Sequence, residues 1–222
     1  MTFSELKRVV AVTGHYGCGK TNFSLNLAIH FASIGEEVTL IDLDLVNPYF
    51  LSSDFTEMLR ANGITVIASK YAGTMSETPT IPREIQGAIR GESRVIIDVG
   101  GDDVGARALG RFYNDFLEAD GVDLIYLFSI YRPQTGTVEN LKEHMNSIEY
   151  VSRQKIKYLI NSSNLGKETS REDIEDSKEF AESLVKEIRI PLLATLATVE
   201  DNIDEGYFKI QRYVKLPWEK EN

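Results

Sequence analysis

The chain has 222 residues, 42% of them hydrophobic and 26% charged, an ordinary globular composition with enough apolar residues for one good core. Its formal net charge of −10 argues against broad binding to nucleic acid or anionic membranes, which both call for a basic face. A single cysteine, Cys18, leaves no internal disulfide and no paired-cysteine metal site. No apolar run approaches the roughly 18 residues of a membrane span and the opening residues do not read as a signal peptide, so the cytoplasm is the expected location. The length favours one domain over 1–222.

In chain order, Arg8 to Thr13 is β-rich and apolar and predicts a buried strand. A glycine-rich turn follows at 14–21. The next helix carries Leu25, Ala28, Ile29 and Ala32 at helical spacing and stops near Gly35. Glu37 to Leu43 predicts a second strand, with Asp42 and Asp44 at its end. Pro48 biases Asn47 away from helix and opens a loop. Ser52 to Asn62 predicts a helix stopped by Gly63, and Ile64 to Ala68 a short strand. Residues 69–82 form a long polar loop, a length often reserved for function. Arg83 to Arg90 predicts a short helix, and Arg94 to Val99 a strand that runs into Gly100, Gly101, Asp102 and Asp103.

Residues 104–118 read as one helix with Ala106, Leu109, Phe112, Tyr113 and Phe116 on its apolar side. Asp123 to Ser129 predicts a strand, Arg132-Pro133 a loop, and Thr137 to Arg153 a helix. Lys155 to Ile160 predicts a strand ending in Asn161, Ser162, Ser163 and Asn164. Arg171 to Glu187 is an acidic helix with a solvated face. Arg189 to Ala194 predicts the last strand, and Pro191 places it at a sheet edge or a strand start. Asp201 to Val214 reads as a terminal helix. Strands and helices alternate, which predicts a three-layer α/β fold with a mainly parallel sheet of roughly seven strands. Ligands in such folds bind at the carboxyl ends of the strands.

One rim collects the chemistry. Gly14, His15, Tyr16, Gly17, Cys18, Gly19, Lys20 and Thr21 fit G-x-x-x-x-G-K-[ST], the phosphate-binding loop, between a strand and a helix. The glycines let the backbone curl so that successive N–H groups face an anion, and the helix start at Lys20 and Asn22 adds its dipole. Lys20 would reach the β/γ-phosphates, and the Thr21 hydroxyl would hold Mg²⁺, a hard cation that prefers oxygen. Asp98 ends an apolar strand three residues before Gly101, the Walker B pattern joined to D-x-x-G. It either supports the metal while Gly101 senses a γ-phosphate, or caps the helix from 102 onward. Asp42 and Asp44 point to one side if their strand persists. They then order metal-bound water or position the attacking water, unless they cap a turn.

These pieces resemble the MinD/ParA-type branch of P-loop NTPases, a SIMIBI-class group with a deviant Walker motif. The resemblance lies in Gly14 to Thr21, the strand ending Asp42-Leu43-Asp44, and Asp98 to Gly101. The run from Asp42 to Phe50 resembles a small, poorly characterised subgroup. The resemblance implies that Asp44 orients the hydrolytic water and that the strand bearing Asp98 lies beside the loop-bearing strand. It also implies a lysine after the first loop glycine that crosses a dimer interface. His15 and Tyr16 stand there instead, so the signature lysine is missing and a homodimer is left open. His15 acts either as a pH-dependent cation or as a shaper of the loop. Arg132 is either an arginine finger or a loop salt bridge. Related GTP readers carry Asn-Lys-x-Asp after a late strand. Asn161-Ser162-Ser163-Asn164 lacks the lysine and the acid, which disfavours GTP. Asn161 either bonds adenine or makes a turn. Cys18 fills a variable loop position, and His30 and His144 suggest no metal site.

The expectation is a Mg²⁺-dependent ATPase acting as a switch, with moving segments at 45–52 and 100–105. Its alternatives are a small-molecule kinase or ATP-dependent ligase with 69–82 closing on an acceptor, and a nucleotide-responsive binder with little turnover. A protein partner is expected without being named. The apolar tail Phe208, Ile210, Tyr213, Val214, Leu216 and Trp218, broken by Pro217, is expected to dock on the body rather than on a membrane.

Overall fold

The computed structural model describes residues 3–44, 53–68, 83–163, 169–198 and 207–214. The expected moving segment 45–52, the loop at 69–82, Asn164 and the tail from 215 lie outside them. A 3-10 turn at Phe3–Glu5 leads into β1 (Val9–Gly14), α1 (Lys20–Ser33), β2 (Val38–Leu43), α2 (Ser53–Ala61) and β3 (Thr65–Ala68). Then come α3 (Arg83–Arg90), β4 (Arg94–Val99), α4 (Asp103–Gly110), α5 (Tyr113–Glu118) and β5 (Asp123–Phe128). A second 3-10 turn at Pro133–Thr135 precedes α6 (Val138–Ser152), β6 (Ile156–Asn161), α7 (Arg171–Ile188), β7 (Leu192–Thr198) and β8 (Phe208–Ile210).

Among the described residues the sheet has eight strands in the order β3-β2-β4-β1-β5-β6-β7-β8. Every pairing is parallel. The side-chain alternation of each strand splits the core in two. Val9 and Ala11 of β1 join Val95, Ile97 and Val99 of β4 under α3 to α7. Val10 and Val12 join Ile96 on the opposite face, beneath Phe23, Leu27, Ala28 and Phe31 of α1. Each of these buried phenylalanines contributes roughly 1.5–3 kcal/mol by leaving water. Because β1 runs between β4 and β5, and the chain leaves it first toward β2, the carboxyl end of β1 is the topological switch point.

The mainly parallel sheet of roughly seven strands is present, with eight among the described residues. Three expectations are corrected. Residues 208–210, within the expected terminal helix, form the strand β8. Ile210 turns inward and Lys209 outward, a period of two that belongs to a strand. The single helix at 104–118 is two, α4 and α5. At the break Gly110 approaches α6 so closely that an added Cβ would lie 2.6 Å from the Val151 carbonyl oxygen. Finally, β7 runs from Leu192 to Thr198, later than expected; it lies between β6 and β8, so Pro191 marks the strand start and not a sheet edge. Pro191 sits just before it, where a missing N–H costs no ladder bond, and its carbonyl accepts from the Leu159 N–H.

Candidate functional site

At the end of β1 the backbone turns through Gly14, Gly17 and Gly19 with φ of 146°, 77° and 78°. Two of these glycines are also fixed by contact. A Cβ on Gly14 would lie 2.3 Å from the Leu127 carbonyl oxygen, and one on Gly17 would lie 2.9 Å from the Arg132 guanidinium carbon. Gly19 is the N-cap of α1 in the left-handed conformation and no side chain caps the helix. The first N–H groups of α1 are therefore left for a ligand, and the dipole of the helix favours an anion there. By contrast, α4, α6 and α7 begin on side-chain caps from Asp102, Thr137 and Ser170.

Lys20 is buried, and its Nζ donates to the His15 carbonyl at 3.3 Å. Gly101 closes over the same place. A Cβ there would lie 2.6 Å from the Gly14 carbonyl oxygen, 2.7 Å from Lys20 Nζ and 2.9 Å from the Tyr16 amide nitrogen. Only a glycine fits three residues after Asp98. The D-x-x-G segment is thus pressed against the phosphate loop, and β4 pairs with β1 as the resemblance implied, Val12 opposite Asp98.

Asp98 faces α1. Thr21 Oγ1 donates to Asp98 Oδ2 at 2.6 Å, and Ser24 Oγ donates to Oδ1 at 3.2 Å. The helix at 103 is capped instead by Asp102, whose carboxylate accepts from the Gly105 N–H at 2.9 Å. Asp42 lies directly opposite Asp98 across the β2–β4 ladder. The strand does not persist to Asp44. It stops at Leu43, and the Asp44 N–H turns back onto Asp42 Oδ1 at 2.9 Å. Asp44 Oδ1 sits 3.3 Å from where a Cβ on Gly100 would be, so its carboxylate faces the segment after Asp98.

Burial pushes the Asp42 carboxyl up to about 8, with the neighbouring Asp98 charge adding to it and the Asp44 N–H opposing it. Burial also pushes Asp98 up to about 6, against the Thr21 hydroxyl and Lys20, which both favour the carboxylate. The two buried acids lie side by side, and Lys20 is the cation that acts on Asp98. Among the described residues no group of three or more His, Cys, Asp or Glu is arranged to cage a metal. Mg²⁺ does not require such a cage: it takes one or two carboxylates beside other oxygens and completes its shell with phosphate oxygens and water. Thr21, Asp98 and Asp42 fit that role in number and in chemistry.

The remaining candidates fall around the loop. Tyr16 is 59% exposed. Arg132 reaches over the loop and its Nε donates to the Gly17 carbonyl at 3.2 Å. Cys18 is buried, and burial pushes its thiol up, away from the reactive thiolate. Asn22 is turned to the opposite end of the chain, its Oδ1 accepting from the Tyr213 N–H at 2.8 Å. Asn161 is fully buried. Its Nδ2 donates to the Ser177 hydroxyl at 2.9 Å and its Oδ1 accepts from the Ser163 N–H at 3.1 Å, which ties β6 to α7. In this arrangement its amide is committed to the fold. His144, which sequence reading set aside, lies against His15 with ring centroids 5.3 Å apart. No local pattern links two residues so distant in sequence; only the packing of α6 beside the loop does. A depression of about 700 Å³ lined by Arg107, Arg111, Arg153 and Tyr150 opens elsewhere. Its arginines lie at the ends of α4 and α6, where they offset the negative helix termini.

This is a P-loop NTPase fold: a mainly parallel sheet flanked by helices, with the glycine-rich loop at its switch point. Solved structures share it. FlhF complexed with GTP/Mg²⁺ matches with a TM-score of 0.54 at 15% identity, over 95% of this chain and 71% of that one. Chloroplast FtsY from Physcomitrella patens matches at 0.54 and 16% identity, over 88% and 62%. FtsY from Mycoplasma mycoides matches at 0.51 and 13%, over 85% and 59%. The chain thus spans less than two thirds of the length of either FtsY. At these identities the likeness is one of fold. No protein-family model and no curated protein matches the chain. Among the described residues no helix is long and apolar enough to cross a membrane.

Proposed function

We propose that the protein is a Mg²⁺-dependent ATPase of the MinD/ParA type that works as a nucleotide switch. The observation that carries this reading is the Thr21–Asp98 hydrogen bond at 2.6 Å, made at the uncapped N-terminus of α1 beside a buried Lys20. A threonine hydroxyl, a strand-end carboxylate and a lysine are the groups that phosphoryl transfer uses for positioning and charge neutralisation.

In this reading the loop amides from His15 to Thr21 and the Lys20 ammonium hold the β- and γ-phosphates. Thr21, with Asp98 and Asp42 behind it, is the oxygen set for Mg²⁺, which when bound neutralises charge on the phosphates. Asp44 faces the same opening and orients the attacking water. The Gly101 amide donates to the γ-phosphate. Gly101 is linked to α4 through the Asp102 cap and the close approach of Gly105 to Gly100. Loss of the γ-phosphate therefore frees a segment that moves α4 with it, as order–disorder switches do. ATP is favoured over GTP because Asn161-Ser162-Ser163-Asn164 offers no acid to grip a guanine. His15 replaces the cross-dimer lysine, so the site is read as complete within one chain.

Calorimetry with Mg²⁺ and either ATP or GTP, together with phosphate release, tests this. The wild type should bind ATP more tightly than GTP and release phosphate. Lys20→Ala should weaken ATP binding by at least about 100-fold, the loss of charge-assisted bonds worth roughly 3 kcal/mol. Unchanged affinity in that variant removes the site assignment, and a preference for GTP removes the choice of nucleotide.

A further inference from the structure

The phosphate loop has a second layer that the roles above leave unused. His15, its second residue, lies edge-to-face on His144 of α6, with rings inclined at 61°. His144 is itself fixed from below: the Tyr126 hydroxyl is 2.7 Å from its Nδ1, and the two rings meet edge-on at 5.7 Å. The backbone of Gly101, the residue that closes over the loop, acts on His144 and favours its charged form. Next to Tyr126 in the sheet register stands Thr13, whose hydroxyl is fully buried with no partner among the described residues. Tyr126 and His144 thus link the sheet to His15 of the loop.

We propose that His15 is a proton-linked cation for the bound triphosphate, held in place by His144, so that nucleotide binding takes up a proton at neutral pH. The proposal rests on the nucleotide reading of the loop. Its geometry selects which imidazole gains the proton. Tyr126 is fully buried, and burial pushes its phenol well up, so it keeps a proton that it can donate to His144 Nδ1. With Nδ1 accepting, the neutral His144 ring carries its proton on Nε2. Burial, then His15, hold His144 below the ordinary histidine range, against the Gly101 backbone and Asp103; Lys20 adds to the lowering. His144 is therefore a neutral positioning residue.

His15 differs. Its Nδ1 pairs with the Tyr16 carbonyl at 3.3 Å, which leaves Nε2 to donate to an anion. Lys20 lies on the same loop, bonded to the His15 carbonyl. A bound triphosphate places negative charge beside both residues. An imidazole titrates near neutrality, and an anion held against it favours the charged form. The proton comes from solvent and stays on His15; no bond to the nucleotide forms or breaks.

The test is calorimetry at pH 7.5 with Mg²⁺ and a non-hydrolysable ATP analogue, repeated in two buffers of different ionisation enthalpy. For the wild type the apparent enthalpy should change with the buffer, reporting uptake of about half a proton per nucleotide. His15→Gln should bind more weakly and lose that uptake. Tyr126→Phe and His144→Gln should still bind but take up less, and Tyr126→Phe serves alone if the histidine variant does not fold. Tight binding without proton uptake, or an unchanged uptake in His15→Gln, overturns the proposal and leaves the nucleotide reading standing. Uptake untouched by both Tyr126→Phe and His144→Gln overturns the part assigned to His144. No binding of either nucleotide overturns the parent reading, and this proposal with it.

Discussion

Replacing Asp42 by asparagine should stabilise the metal-free protein while crippling its turnover. The carboxyl is 7% exposed, faces Asp98 in the ladder, and has its proton held up to about 8. In the unfolded chain the same group releases its proton near the ordinary value of 3.8. Between those limits the folded protein binds the proton and the unfolded chain does not, so stability falls as pH rises. The penalty is absent below about pH 4, grows through neutrality and levels off above about pH 8. At pH 7 it reaches roughly 4 kcal/mol if burial and Asp98 act in full. Asparagine keeps an oxygen for the Asp44 N–H and carries no charge to desolvate. In a chelator, Asp42→Asn should therefore melt above the wild type by about 2–4 °C per kcal/mol, roughly 10–20 °C at pH 8 for the full penalty, with the gap closing by about pH 4. Thermal scans across that range read it directly. Equal wild-type and variant midpoints at pH 8, or a gap that widens toward acid, would refute the assignment of a protonated, charge-burdened Asp42.

Three other changes separate roles around the loop. Gly101→Ala drives a methyl into the Gly14 carbonyl and Lys20 Nζ, both under 3 Å away; it should cost about 1–3 kcal/mol in denaturant melts and abolish nucleotide binding in calorimetry. Arg132→Ala removes an exposed side chain with one hydrogen bond to Gly17, so stability should move by less than about 0.5 kcal/mol while kcat falls at least about tenfold at unchanged nucleotide affinity; an unchanged kcat assigns Arg132 to loop shape alone. Asn161→Ala should destabilise by about 1–3 kcal/mol, since Ser163 N–H loses a buried acceptor, and its ATP affinity, measured where the protein is folded, separates bracing of α7 from recognition of the base.

The elements that sequence reading placed well carry their own signals. Arg83–Arg90 and Arg94–Val99 have the expected bounds because Ile85 and Ile89 keep helical spacing and Val95 to Val99 is a continuous apolar run around Asp98. The phosphate loop was legible for the same reason: Gly14, Gly17 and Gly19 stand where positive φ is needed. The misread stretches depended on contacts from elsewhere. At the break between α4 and α5 Gly110 packs against the Val151 carbonyl, and Asn161 donates to Ser177 of α7, both contacts made far along the chain. The strand in 208–210 had a local signal, but three residues are too few for a period to stand out. His144 against His15 is a purely tertiary fact.

The clamp on α1 has a consequence for the order in which the protein is made. Asn22 and Asn26, on the first two turns of the helix that presents the phosphate loop, hold the backbone at Gln211, Tyr213 and Val214. Those partners are translated 185 or more residues after the asparagines they bind. The ring of Phe208 also packs 4.5 Å from Phe3 and 5.9 Å from Phe23. The loop and its lysine leave the ribosome early, but the support behind their helix arrives only with β8. A nascent chain arrested before residue 208 presents the complete motif on a helix that still lacks its last brace.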